Sequence, residues 1–227
     1  MKFDQHLFNQ FILDCNIIGF YQEARILSSG RSSHWYINWR TVSNNAFLLY
    51  ELTDYVINFC HDNEILPDCF YGVPDGATKL ALFTQNKWIH LYKKTPILPM
   101  GRVKEKRHGD PKDKYFIGEP QGNVVILEDV STTGDSMINE FHKIFELNSQ
   151  RTSTYILHAI SLTDRMEKRD DGHTVQSALA QFDVPYNCLS NALDILPLAV
   201  EKYKPTPEII KAIEKEYEKY GVERLVL

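Results

Sequence analysis

The stretch of this chain richest in chemistry is VVILEDVSTTGDSMINEF, Val124 to Phe141. Four consecutive apolar residues suit a strand buried on both faces, and Glu128 and Asp129 leave it at its carboxyl end. Carboxylates only accept hydrogen bonds, and neighbouring hydroxyls of a sugar are their natural donors. From Val130 the chain runs through Ser131, Thr132, Thr133, Gly134, Asp135 and Ser136, with the glycine where the backbone must turn tightly into a helix. Backbone N–H groups at a helix start, joined by Ser and Thr hydroxyls, hold a phosphate dianion. An acid pair before Ser and Thr also reads as a plain strand end, turn and N-cap. Buried strand, acid pair, hydroxyl-rich turn and new helix in one run favour a site for a sugar phosphate.

Two further stretches carry charge that such a site could use. GRVKEKRHGDPKDK holds Arg102, Lys104, Lys106, Arg107, Lys112 and Lys114, diluted by Glu105, Asp110 and Asp113. Alone it reads as a solvated loop. Opposite a phosphate site, its cations could stabilise negative charge on a leaving group, and His108 could share a proton near neutral pH. Arg165 follows the β-prone run YILHAISL and either pairs with Asp164 or Glu167 or offers its planar fork to a carboxylate. Cys15, Cys60, Cys69 and Cys188 lack CxxC spacing, and the eight histidines lack HxxxH pairing, so no protein metal cage is expected.

The elements that position these residues follow from periodicity. Phe3, Leu7, Phe8, Phe11, Ile12 and Cys15 recur at helical spacing. RILSSGRSSHWYINWRTV reads as two short β-prone runs around SSGRSS, a hairpin or paired strands. Asn45 to His61 suits a helix, Asp68 to Gly72 a strand, and VPDGAT leads into a helix from about Lys79. Residues 97–102 read as a strand that Pro99 makes short or peripheral, and 103–118 as a loop. Val124 to Leu127 is a core strand before a helix through Phe145. Thr154 to Leu162 is a further strand, HTVQSALAQF a helix and YNCLS a last short strand. Two helices close the chain, the second after Pro207. Strands alternating with helices predict an α/β fold with a mainly parallel sheet covered on both faces, its ligand site beyond the carboxyl ends of the strands.

Bulk properties set outer bounds. The chain has 227 residues, 43% hydrophobic and 24% charged, which suits one globular domain with a real core. A net charge of −5 argues against general nucleic-acid binding. No apolar run is long enough to span a bilayer, and the polar residues in MKFDQHLFNQFILDCNII are unlike a signal peptide, so a cytoplasmic protein is expected.

The Val124–Phe141 stretch resembles the 5-phosphoribosyl 1-diphosphate (PRPP) signature of type I phosphoribosyltransferases. More narrowly, SSGRSSHWYIN, GRVKEKRHG and LTDRMEKRDDG resemble the N-terminal segment, catalytic loop and base-pocket stretch of orotate phosphoribosyltransferases, in the same order. The resemblance runs over almost the whole chain and implies a central sheet flanked by helices, with residues 1–42 forming an N-terminal helix and small hood and 101–118 a mobile catalytic loop. It implies PRPP contacts from Arg102, Lys106, His108 and residues 128–136, with Lys106, His108, Glu128 and Asp129 catalytic. Tyr36, Ile37, Thr132 and Arg165 would face orotate, Mg²⁺ would arrive mainly on PRPP, and a homodimer would share its loops. Ser28, the Asp75–Gly76 pair and Val103 depart from the family pattern by losing cations and adding an acid. One unit charge at 4 Å is worth about 4 kcal/mol at an effective dielectric near 20, so these departures bear on PRPP affinity. A phosphoribosyltransferase for another base, or a PRPP-binding regulator without chemistry, are the alternatives.

Overall fold

The computed structural model describes residues 2–94, 96–110, 113–150 and 154–227. The first helix, α1 (Gln5–Asp14), starts where the Asp4 carboxylate accepts the Leu7 N–H at 3.1 Å. A two-stranded antiparallel sheet follows, β1 (Ile18–Ile26) and β2 (Ser32–Ile37), with irregular register between Phe20 and Arg25. The hairpin expected around SSGRSS is therefore present. Its first strand starts earlier than the Arg25 expected, because most of β1 faces solvent and shows no apolar alternation. Short α2 (Trp39–Ser43) and long α3 (Ala46–Asp62) come next, the latter capped by Asn45.

The main sheet has four parallel strands in the order β3 (Cys69–Gly72), β6 (Gly122–Ser131), β7 (Thr154–Asp164), β8 (Tyr186–Asn191). Its two faces separate cleanly along β6. Val125 and Leu127 join the larger core, which also holds Phe8, Trp35, Trp39, Leu49 and Trp88. Val124 and Ile126 join a second core with Met137, Phe141 and Ile144 of α5 (Asp135–Gln150) and with Val175 and Leu179 of α6 (Val175–Ala180). A strand covered on both faces has no reason to alternate, which is why VVIL is continuously apolar. α4 (Thr78–Tyr92) lies between β3 and the loop region, and α7 (Ala192–Tyr203) and α8 (Pro207–Tyr220) close the chain, α8 opening with proline at its first turn. Among the described residues no helix is long and apolar enough to cross a membrane.

The stretch expected as a strand at 97–102 and a loop at 103–118 is arranged differently. Only Met100–Gly101 (β4) is extended, and it pairs with Phe116–Ile117 (β5) to close the loop at its base. Phe116 is buried edge-on against Tyr71, ring centroids 5.8 Å apart, which holds the ladder to the second core. A single buried aromatic in a charged run carries too little periodicity to be read as a strand. Pro111 and Lys112 of this loop lie outside the described residues.

A buried polar network ties the carboxyl ends of three strands together. The Ser131 hydroxyl on β6 lies 2.5 Å from the Tyr186 hydroxyl of β8 and 3.2 Å from the Ser161 hydroxyl of β7. Tyr186 lies 2.7 Å from Ser161 and donates to the Asp164 carboxyl at 2.8 Å, which also accepts the Met166 N–H. Burial outweighs these donors and pushes Asp164 up to about 6 from 3.8. A carboxyl whose folded value is raised contributes stability that is intact below pH 3.8 and lost as pH rises through 6. Wild-type stability, from urea midpoints, should therefore fall relative to Asp164→Asn by on the order of 3 kcal/mol between pH 4 and pH 7. Parallel profiles for the two proteins would contradict this account.

Candidate functional site

Beyond the carboxyl ends of β3, β6 and β7, and under the β1–β2 hairpin, lies a cavity of about 340 Å³. This is where a parallel sheet leaves room for a ligand, since strand ends and the loops that follow them converge there. Its floor is the end of β6. Glu128 is 5% exposed, and burial first, then the neighbouring Asp129 charge, raises its carboxyl well above the ordinary range, while the Ser136 hydroxyl opposes the shift. Its Oε2 is buried and meets no hydrogen-bond partner among the described residues. Buried polar atoms without partners are rare and costly, so this oxygen is available to a donor supplied from the cavity.

Asp129 is also raised by burial, against the pull of backbone N–H groups at Val130 and itself and the charge of Arg40. It lies so close to Gly76 that a Cβ there would overlap the carboxylate. Gly76 and Asp75 both line the cavity, on the segment following β3 in which the Pro74–Asp75 peptide is cis. Gly76 in VPDGA thus has a local reason: only a residue without a side chain lets the β3 loop pass Asp129.

The turn after β6 divides its side chains between the cavity and the scaffold. Val130, Thr132 and Ser136 line the cavity. The Ser131 hydroxyl instead points into the Tyr186–Ser161 network. Thr133 donates its hydroxyl to Asp135 at 2.7 Å, and Arg169 clamps both, reaching the Thr133 carbonyl at 2.6 Å and the Asp135 carboxylate at 2.7 Å. Gly134 takes φ +76°, and a Cβ there would sit 3.1 Å from Val175 of α6. Turn shape and packing therefore both call for glycine. Arg169 lies among the residues that sequence reading passed over; in EKRDDG it looks like one more charge in a solvated run.

Opposite the turn, Tyr36 and Ile37 from β2 and Arg165 after β7 line the same cavity. Arg165 is 1% exposed, and its guanidinium lies 4.0 Å above the Trp35 ring. Its Nε donates to Glu167 at 2.7 Å and its Nη2 to Ser33 at 2.8 Å, while among the described residues Nη1 meets no protein acceptor. The pairing with Glu167 is real but buried, which is not the surface ion pair that sequence proximity alone suggests. Arg40 at the start of α2 also lines the cavity. Its signal was its place just past Tyr36 and Ile37 in WYINWR, on the same hood.

The loop cations are elsewhere. Arg102, Lys106 and His108 do not line the cavity. Arg102 donates through Nε to the Asp113 carbonyl at 3.0 Å, and Lys106 pairs with the Asp113 carboxylate at 3.1 Å, so the loop is folded onto itself. Its stem is held from α5, where Lys143 reaches the Arg102 carbonyl at 3.2 Å and Glu140 at 2.6 Å, and Glu140 accepts the Tyr71 hydroxyl at 2.5 Å. Among the described residues no group of three or more His, Cys, Asp or Glu side chains is placed to hold a metal.

No protein-family model matches the chain. In sequence it is 25% identical over 147 residues to an orotate phosphoribosyltransferase of Methanopyrus kandleri, covering 64% of this chain and 71% of that one. The fold matches the orotate phosphoribosyltransferase of Francisella tularensis with a TM-score of 0.66 and 20% identity, over 95% of this chain and 99% of that one. It also matches the Mycobacterium tuberculosis orotate phosphoribosyltransferase in complex with PRPP, with a TM-score of 0.53 and 15% identity, over 84% and 98% of the two chains. The parallel four-stranded sheet thus belongs to the fold of these orotate phosphoribosyltransferase structures, and the chain is similar in sequence to the Methanopyrus kandleri enzyme.

Proposed function

We propose that this protein transfers the 5-phosphoribosyl group from PRPP to N1 of orotate, forming orotidine 5′-phosphate and diphosphate, a step toward UMP. The observation that carries this reading is one cavity lined by an acid pair, a hydroxyl-bearing helix start and a buried arginine. The 5-phosphate would sit against the Val130–Ser136 turn, where backbone N–H groups and the Thr132 and Ser136 hydroxyls supply donors. The ribose hydroxyls would donate to Asp129 and to the partnerless Oε2 of Glu128. That contact would favour the charged form that burial resists, placing two carboxylates beside a ring that becomes positive as its bond to diphosphate breaks.

The base would lie between Tyr36, Ile37 and Thr132, its carboxylate toward the Nη1 side of Arg165. Diphosphate would leave along Val73–Gly76. Asp75 opposes that charge, and Ser28 and Val103 supply none to balance it. Arg40 restores one cation to the cavity. The acceptor-only oxygens of Asp75 and Asp129 are the hard donors that suit Mg²⁺, so an ion delivered on PRPP and largely hydrated would fit there; when bound it would neutralise charge on the diphosphate. Arg102, Lys106 and His108 do not reach the cavity of their own chain in this structure, which fits a homodimer in which each loop closes over the neighbouring copy's site.

Purified protein mixed with PRPP, Mg²⁺ and orotate should consume orotate, followed by its absorbance. Turnover only with other bases would reassign the substrate, and PRPP binding without turnover would make the protein a sensor. Lys106→Ala should lower kcat by about 10²-fold or more while orotate binding changes little, as expected for charge stabilisation lost only in the transition state. Gly76→Ala should displace Asp129 and weaken PRPP by at least about tenfold in a calorimetric titration. Wild-type affinity in that variant would remove Asp129 from the site.

A further inference from the structure

The last helix, α8, supplies two side chains that converge on Arg165 from opposite ends. Tyr217, buried, donates its hydroxyl to the Arg165 carbonyl at 2.8 Å. Glu216, one residue earlier, reaches β2 of the hood. Its Oε1 accepts the His34 N–H at 2.7 Å, with His34 Nδ1 also at 2.7 Å, and its Oε2 accepts the Ser33 hydroxyl at 2.8 Å. The same Ser33 oxygen accepts Nη2 of Arg165 at 2.8 Å. Ser33 has one proton and two acceptors in reach, the Trp35 carbonyl at 3.0 Å and the Glu216 carboxylate at 2.8 Å. The charged and nearer acceptor takes it. A directed relay results, from the guanidinium to the hydroxyl to the carboxylate, in which each bond polarises the next.

A second carboxylate holds the other side of the guanidinium. Glu167 accepts Nε of Arg165 at 2.7 Å and is shared with Nη1 of Arg31 at 3.1 Å, and Arg31 in turn reaches Asp170 at 2.7 Å. With Nε and Nη2 engaged and its plane resting on Trp35, Arg165 has one rotamer, and that rotamer lines the cavity. An arginine ordered in advance loses little side-chain entropy when it meets a ligand.

We propose that Glu216 is the positioning residue of the base site: acting through Ser33, it fixes the edge of Arg165 that meets a carboxylate on the incoming base, and so sets discrimination between carboxylated and uncarboxylated pyrimidines. This rests on the role given to Arg165 above and deepens it. The base pocket, assembled from the hood and the end of β7, is then trued by a helix some fifty residues further along the chain.

The test is steady-state kinetics on the full-length protein with orotate and PRPP varied separately, and with uracil as the base lacking the carboxylate. Glu216→Ala and Ser33→Ala should each raise KM for orotate about tenfold, the loss expected when a hydrogen bond to a charged group is removed. The KM for PRPP and kcat should stay within about twofold, and the preference for orotate over uracil should shrink. Glu216→Gln, which keeps one acceptor oxygen for the Ser33 proton but loses the acceptor of the His34 N–H, should recover part of the orotate KM. A purely structural role would instead damage PRPP use and turnover together. Ser33→Ala leaves α8 untouched, so the test stands even if Glu216→Ala fails to fold. Orotate turnover in the wild type with an unchanged orotate KM in Ser33→Ala overturns the relay alone. A wild type inert toward orotate overturns the relay and the proposed reaction together.

Discussion

A carboxyl group buried at the end of an interior strand is costly, and the arrangement around Glu128 answers to that cost. The side chain is buried, its charged form is disfavoured by burial and by Asp129, and one oxygen has no protein donor among the described residues. A fold gains nothing in stability from such a group. Such a group persists where a ligand brings the missing donors. The neighbouring features serve the same constraint. Gly76 lets a loop pass Asp129, Arg40 offsets part of the negative charge, and Ser136 leans toward Glu128.

Around that centre the cavity groups and the loop between β4 and β5 are held in different ways. The turn after β6 is anchored from behind by the Ser131–Tyr186–Ser161 network and from the side by the Arg169 clamp, so the groups facing the cavity are held by contacts that never touch it. Arg165 is held likewise by Glu167, Ser33 and Trp35. Preorganised polar groups of this kind are what electrostatic catalysis requires. The loop between β4 and β5 has another character: its described residues are largely exposed and rich in charges that satisfy one another, and it is fastened by Phe116, by Lys143, by the Lys114–Glu146 pair and by the β4–β5 ladder.

Much of the architecture was legible before any coordinates. β6 stood out because four apolar residues in a row mean burial on both faces, and α3 because its apolar spacing runs over four turns from an asparagine cap. The alternation of strand and helix led to a parallel sheet, which is what the four strands form. β1 and β5 were harder. Most of β1 faces solvent, and β5 owes its existence to one buried phenylalanine meeting Tyr71 across the fold, a contact that no local pattern encodes.

Residue type and spacing alone determined that acids, hydroxyls and a glycine would cluster at one strand end, since those positions are consecutive and a strand delivers them together. The resemblance, not residue type and spacing, singled out Tyr36, Ile37 and Arg165, which the cavity does gather from distant segments. Which hydroxyl points outward was decided only by packing. Ser131 and Thr132 are chemically interchangeable in a string of letters, yet strand alternation and the Tyr186 hydroxyl turn one inward and leave the other on the cavity. Arg40, Arg169 and Glu216 came into view only in three dimensions, because each works on a residue that is remote in the chain, and the sign and strength of a charge's effect depend on distance and burial that sequence does not carry.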